Sequence, residues 1–259
     1  MKWMLGLLLA SVLGMADVSA ESLPDFETFV EEFKEKRADI QTLQAHFRQH
    51  NFMPGERFTN EGELLYIRPR RLLFRYSDPP VTYAVDDTMV YEYDADLAQV
   101  QQMRLEDQPE TEALFLGFES DLTRLREAYA ISLFTPDEEE CGSVGLRLEP
   151  EAAAGEDAPG LFEEAWLYLR EEDYAPCRIH LVNPDGSQVL IEIDELQPNV
   201  KLVPRETSLW APEGTRIVPE QGPVETAGPG GQWLLPVQIP PSMEREEEEE
   251  DANAEEENG

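Results

Sequence analysis

Lysine, cysteine and histidine are all scarce in this chain of 259 residues, which holds only Lys2, Lys34, Lys36 and Lys201, two cysteines and three histidines. Arginine supplies the rest of 20 basic residues, set against 55 acidic ones, for a formal net charge of −35. Such a surface repels phosphate backbones and anionic headgroups, which excludes nucleic-acid binding through a basic footprint. Long apolar runs are also missing. The longest, Leu5 to Leu13, is too short for a hydrocarbon core of roughly 30 Å. No nucleophile elbow, phosphate loop or HExxH pattern occurs. His46 and His50 have helical ligand spacing, but their segment reads as a strand and no third ligand accompanies them, so no metal site and no cofactor is expected. Carboxylates are so frequent that a chance acid–base pair means nothing. An enzyme is not expected.

What is present begins with an address. Lys2, the greasy stretch Leu5 to Leu13 and the small residues Val18-Ser19-Ala20 form a secretory signal peptide, residues 1–20, with cleavage expected after Ala20. The mature chain is then soluble and exported. At the other end, residues 244–259 carry ten acidic side chains and one arginine, a self-repelling stretch that predicts a disordered tail. Before it, residues 219–243 are rich in Pro and Gly and read as an extension. One folded domain remains, residues 21–218, still strongly acidic.

Within that domain the apolar period changes twice. Phe26, Phe29, Val30 and Phe33 fall at helical spacing and predict an amphipathic helix. From Ile40 the period becomes two, with Leu43, Ala45 and Phe47 alternating with polar residues. Strands are expected at Gly62 to Arg68, Leu72 to Tyr76, Val81 to Val85, Thr88 to Asp94 and Leu97 to Arg104. Pro109 to Phe118 and Asp121 to Arg126 lose that period and predict two short helices with Leu114, Phe115, Phe118, Leu122 and Leu125 on their apolar side. Strands resume at Ala128 to Phe134, Val144 to Leu148, Phe162 to Arg170, Cys177 to Val182 and Ser187 to Leu196, the last two joined by the turn Asn183-Pro184-Asp185-Gly186.

The fold class is therefore mainly β (α+β): a single curved antiparallel sheet forming an incomplete β-barrel under a lid of about three helices. Its inner face must be filled by side chains, a lid or a ligand. Leu64, Tyr66, Leu72, Phe74, Tyr76, Tyr83, Met89 and Tyr91 are the candidate cavity residues. Phe29, Phe33, Leu114, Phe115, Phe118 and Leu125 are the candidate lid contacts. An ordinary aromatic core is the alternative. Cys141 and Cys177 enter strands that a simple meander would hold about 9.6 Å apart. A disulfide therefore requires one of them to lie in a bent loop, and two separate buried thiols are the alternative.

Gly62-Glu63-Leu64-Leu65-Tyr66-Ile67-Arg68-Pro69, Leu72-Leu73-Phe74-Arg75-Tyr76 and Asp78-Pro79-Pro80 resemble the core motif of the periplasmic outer-membrane lipoprotein carrier family, LolA. Val90 to Val100, Leu43 to Gln49 and Leu209-Trp210-Ala211-Pro212-Glu213-Gly214 resemble its flanking segments, so the likeness covers residues 24–218. It implies an open half-barrel that takes acylated lipoproteins from an inner-membrane lipoprotein-releasing ABC transporter and hands them to an outer-membrane receptor. It also implies a monomeric periplasmic carrier in which Arg68 bonds to the lid in the closed state. Phe74 and Tyr76 match the aromatics that follow. Arg70, Arg71 and Arg75 add a basic island, either a partner surface or a solvated strand face. Two other readings stand beside the carrier: an envelope lipid or lipoprotein sensor, and a scaffold β-domain that binds no lipid.

Overall fold

The computed structural model describes residues 23–105, 129–137, 140–150 and 162–234, together with Phe115, Phe118, Leu122, Leu125 and Arg126. The expected signal peptide, the acidic tail and Leu114 lie outside the described residues.

Helix α1 (Phe26–Ala38) starts at Asp25, whose carboxylate accepts from the Thr28 amide at 3.1 Å, and buries Phe29, Phe33 and Arg37 on one side. Eleven strands follow before the C-terminal segment: β1 (Thr42–Met53), β2 (Glu56–Ile67), β3 (Arg71–Tyr76), β4 (Val81–Val85), β5 (Met89–Asp94), β6 (Gln99–Arg104), β7 (Tyr129–Phe134), β8 (Val144–Pro150), β9 (Glu164–Leu169), β10 (Pro176–Val182) and β11 (Gln188–Pro198). A 3-10 turn at Pro204–Thr207 leads to β12 (Leu209–Ala211), β13 (Arg216–Pro219), β14 (Glu225–Thr226) and β15 (Gln232–Leu234).

Thirteen strands make one open sheet in the order β14-β13-β6-β5-β4-β3-β2-β1-β11-β10-β9-β8-β7, and β12 pairs with β15 in a separate ribbon. The terminal strands β14 and β7 do not pair with each other, so the sheet curves without closing. One pair departs from the expected antiparallel order: β13 runs parallel to β6, Ile217 opposite Val100. The cause is topological. After β11 the chain crosses the convex face, touching β2, β3, β4 and β5 on its way, and so reaches the edge of β6 in the same direction as β6. Residues 219–234, expected as an extension, belong to this strap and bury Ala227 and Leu234.

The lid of three helices is a correction. Among the described residues α1 is the one complete α-helix, with Asp25 at its start and Arg68 at its finish, and the expected helices Pro109 to Phe118 and Asp121 to Arg126 lie mostly outside the described residues. Phe115, Phe118 and Leu122 are buried, and Arg126 N donates to Leu122 O in one helical turn.

Both faces of the sheet are apolar. The larger cluster joins Phe29 and Phe33 of α1 to Leu43, Ala45, Phe47, Leu64, Tyr66, Leu72 and Phe74, and extends across β11 to β8. The second cluster lies on the other face, where Leu65, Leu73, Ala84, Tyr91 and Val100 meet Leu209, Ala211, Ile217, Ala227 and Leu234 of the strap. On the strap's outer side Trp210 and Trp233 face one another across the β12–β15 ribbon at 5.0 Å, with the Arg205 guanidinium over Trp233.

Cys141 and Cys177 are joined in a disulfide with Cα atoms 6.2 Å apart. The loop before β8 bends over the end of β9, Ser143 N donating to Leu169 O, and so reaches β10. Gly142 permits that bend: its φ is +92°, and a Cβ there would meet the Leu169 carbonyl at 2.6 Å.

Candidate functional site

The concave face is a trough whose character changes along its length. At the α1 end Leu43, Ala45, Leu64, Tyr66, Leu72, Phe74, Val85 and Val90 are buried. Phe29 and Phe33 of α1, with Phe115, Phe118 and Leu122, fill the space above them, and Leu125 packs at their edge. At the end near the β1–β2 turn the same face carries Tyr76, Tyr83, Gln49, Asn60 and Glu92, all only half-buried.

Of the eight predicted cavity residues, Leu64, Tyr66, Leu72 and Phe74 lie together in the main cluster, and Tyr76 and Tyr83 pack at its edge. Tyr76 stands edge-on to Phe47 at 5.0 Å and to Tyr83 at 5.9 Å. Met89 and Tyr91 are corrections, because both pack with the second cluster on the convex face. The register explains why. Ala84 opposes Tyr91 and Tyr83 opposes Glu92, so period-two alternation sends Tyr91 away from Tyr83 and turns Val90 into the trough. Reading alternation without register missed Val85 and Val90, and also the contributions of Leu146, Leu148, Leu167, Ile179, Ile191 and Ile193 from the other half of the sheet.

Arg68 sits where β2 ends, beside the C-terminus of α1. Its guanidinium donates to the Ala38 carbonyl at 2.8 Å and to the Arg37 carbonyl at 3.1 Å, satisfying acceptors that a helix end leaves open and meeting the negative end of its dipole. Nothing in periodicity marks this residue. A second tether comes from the β9–β10 turn, where Tyr174 packs against Phe29 at 5.3 Å and Phe33 at 6.3 Å and donates its hydroxyl to Glu32. Arg37, buried under α1, donates to the Tyr174 carbonyl at 3.0 Å. Burial pulls its guanidinium down to about 10.

Phenols around the trough hold their protons beyond the usual range. Burial pushes Tyr83 up to about 12, helped by the charge of Glu92, and likewise raises Tyr76. Burial also pushes the Glu92 carboxyl up, against the lowering effect of its bond to Tyr83. This end of the trough thus favours neutral polar groups over charges.

The basic island is dispersed by partners. Arg75 pairs with Glu63 at 2.6 Å, while Arg70 is buried over the Phe115 ring with Asp87 at 3.6 Å. His46 and His50 point to the convex face, where Glu192 accepts from His50 at 3.2 Å and Glu195 lies 3.9 Å from His46. Among the described residues no group of three or more His, Cys, Asp or Glu is placed to hold a metal.

An open sheet curved around an apolar face, with a helix laid across that face, is the build of a binding protein that keeps greasy surface from water. No described helix is long and apolar enough to cross a membrane. Residues 38–206 match the family described as outer membrane lipoprotein carrier protein LolA, and the chain belongs to that family. It is 26% identical over 215 residues to an outer-membrane lipoprotein carrier protein of Bordetella avium (strain 197N), covering 82% of this chain and 92% of that one. Solved structures with a similar fold include an uncharacterized conserved protein from Thermus thermophilus, with 12% identity, TM-score 0.46, 75% of this chain and 99% of that one covered. A LolA superfamily protein from Nitrosomonas europaea gives 11% identity and TM-score 0.39 over 70% of this chain and 95% of that one. The strap beyond residue 206 lies outside the family match.

Proposed function

We propose that this chain is a periplasmic carrier which holds the acyl chains of lipoproteins in its trough and moves them from an inner-membrane lipoprotein-releasing transporter to an outer-membrane receptor. Export follows from the signal peptide, with the mature protein starting at Glu21. The observation that carries the reading is the apolar trough at the α1 end, roofed by the phenylalanines of a helix tethered at its finish by Arg68. Those rings are what acyl chains would replace: a buried methylene is worth roughly 0.8 kcal/mol whether it belongs to lipid or to side chain. A site already filled by its own cover binds lipid less tightly than an empty one, and a carrier has to let go.

Mass spectrometry of the protein purified from its native periplasm tests this: co-purified acylated lipoprotein is expected. Its absence across repeated preparations with cargo supplied returns the chain to the scaffold reading. The tether has its own test. Arg68→Leu removes two charge-assisted bonds at the end of α1, each worth about 1.5–3 kcal/mol at most and less at this partly exposed position. Faster hydrogen exchange in α1 and an altered rate of lipoprotein transfer are expected, with the sheet amides unchanged. Transfer at the wild-type rate would remove Arg68 from the mechanism.

A further inference from the structure

We propose that the half-open end of the trough is a polar subsite that receives the ester and amide carbonyls of the acylated amino terminus of the cargo, its acyl chains running from there towards α1. This rests on the carrier reading and adds to it a direction and a recognition chemistry.

The first observation is a relay of side chains across three strands of the concave face. Tyr76 Oη donates to Gln49 Oε1 at 2.8 Å, Gln49 Nε2 to Asn51 Oδ1 at 2.9 Å, Asn51 Nδ2 to Asn60 Oδ1 at 3.0 Å and Asn60 Nδ2 to the Asp78 carbonyl at 2.9 Å. Only 10–15% or so of protein hydrogen bonds join two side chains, so three in sequence on one face are a specialised feature. Their setting sharpens this. Gln49 and Asn51 continue the row Leu43, Ala45, Phe47 that faces the core, and Asn51 is only 5% exposed. Apolar residues there would avoid the desolvation that buried amides incur.

The second observation is donor bookkeeping. A primary amide has two N–H donors, and each of Gln49, Asn51 and Asn60 spends one in the relay. On the half-buried Gln49 and Asn60 the second N–H engages no partner among the described residues, beside a face that disfavours charge. Ester carbonyls are neutral acceptors that carry no donor of their own, and the amide linkage adds one more carbonyl. A free carboxylate or phosphate would bring a charge next to Glu92, and among the described residues the relay itself offers it only neutral amides.

Length agrees. From Gln49 to Leu43 the trough runs six residues, about 20 Å at roughly 3.3 Å per residue. Acyl chains that fill one leaflet of a hydrocarbon core roughly 30 Å thick reach about 15 Å. Chains anchored at the relay therefore end beneath α1.

The test uses the full-length mature protein and a synthetic diacylglyceryl N-acyl-cysteine dipeptide carrying a photoreactive diazirine at the end of one acyl chain. After irradiation, mass spectrometry of peptides should place the cross-links on residues near Leu43, Leu64 and Tyr66. Cross-links concentrated around Gln49 to Asn60 would reverse the direction and overturn the proposal. In parallel, Gln49→Leu/Asn51→Val is compared with wild type in displacing a fluorescent fatty acyl probe, using the dipeptide lipid and a hydrocarbon of equal chain length. Loss of about tenfold in affinity for the dipeptide lipid alone is expected, the effect of one to two hydrogen bonds. Equal change for both ligands, or none, overturns the subsite while leaving the carrier intact. If wild type takes up neither ligand, the carrier reading itself falls, and the subsite with it.

Discussion

Arg37→Ala should lower the free energy of unfolding by about 3–5 kcal/mol, the usual effect of removing one member of a buried, hydrogen-bonded charge constellation. Arg37 is 1% exposed at the end of α1, and its guanidinium lies over Phe33 at 5.4 Å while donating to the Tyr174 carbonyl. Truncation opens a void beneath α1 and strips a buried carbonyl of its donor. Arg37→Met keeps most of the volume without the charge and should cost much less, under about 1.5 kcal/mol. The contrast has a pH signature. A base whose folded value is depressed to about 10 is held charged at a cost to the fold, and that cost is fully present below pH 10 and is relieved as pH rises from there towards its higher unfolded value. Wild type therefore gains stability over both variants as pH rises above about 10, and replacing Arg37 hurts more in the alkaline range than at neutrality. Urea unfolding of the three proteins at pH 7 and above pH 10 measures both effects. A loss under 1 kcal/mol for Arg37→Ala would show that α1 does not depend on this contact.

How much of this could be read from residues alone follows from what each signal encodes. The α1 stripe and the meander of strands were legible, since Phe29 and Phe33 stand at helical spacing and Leu43, Ala45 and Phe47 at period two. Which face of β5 looks inward was not, because parity across a hairpin depends on register, and Ala84 opposite Tyr91 inverts the assignment. A clue lay in the run Leu72-Leu73-Phe74, where consecutive apolar residues mean burial on both faces rather than one. The element that covers the second face was hidden in Pro- and Gly-rich sequence, as its strands are two to four residues long and too short for any period. The relay was missed for another reason. Gln49, Asn51 and Asn60 are polar, and alternation with apolar neighbours normally assigns such residues to solvent. Arg68 was visible only through the family likeness, since an arginine near a proline carries no periodic information.

Phe33→Ala should tighten cargo binding while weakening the fold, and the two effects have one cause. Phe33 is buried against Phe29 at 5.8 Å and against Tyr174, so its loss costs about 3–5 kcal/mol. The strand ladders do not involve it; the loss falls on the docking of α1, a local opening rather than global unfolding. If α1 and acyl chains compete for the same trough, the apparent dissociation constant equals the intrinsic one divided by the fraction of uncovered protein. Weakening the cover by about 3 kcal/mol raises that fraction by roughly 150-fold until it nears unity. Tenfold or greater tightening of a fluorescent acyl probe is therefore expected, together with slower release of lipoprotein to its acceptor and faster hydrogen exchange in α1. The sign is the discriminating result. Were Phe33 a wall of the occupied site instead of a stand-in for lipid, the same truncation would weaken probe binding, and α1 would be a clamp that closes on cargo rather than a cover that cargo displaces.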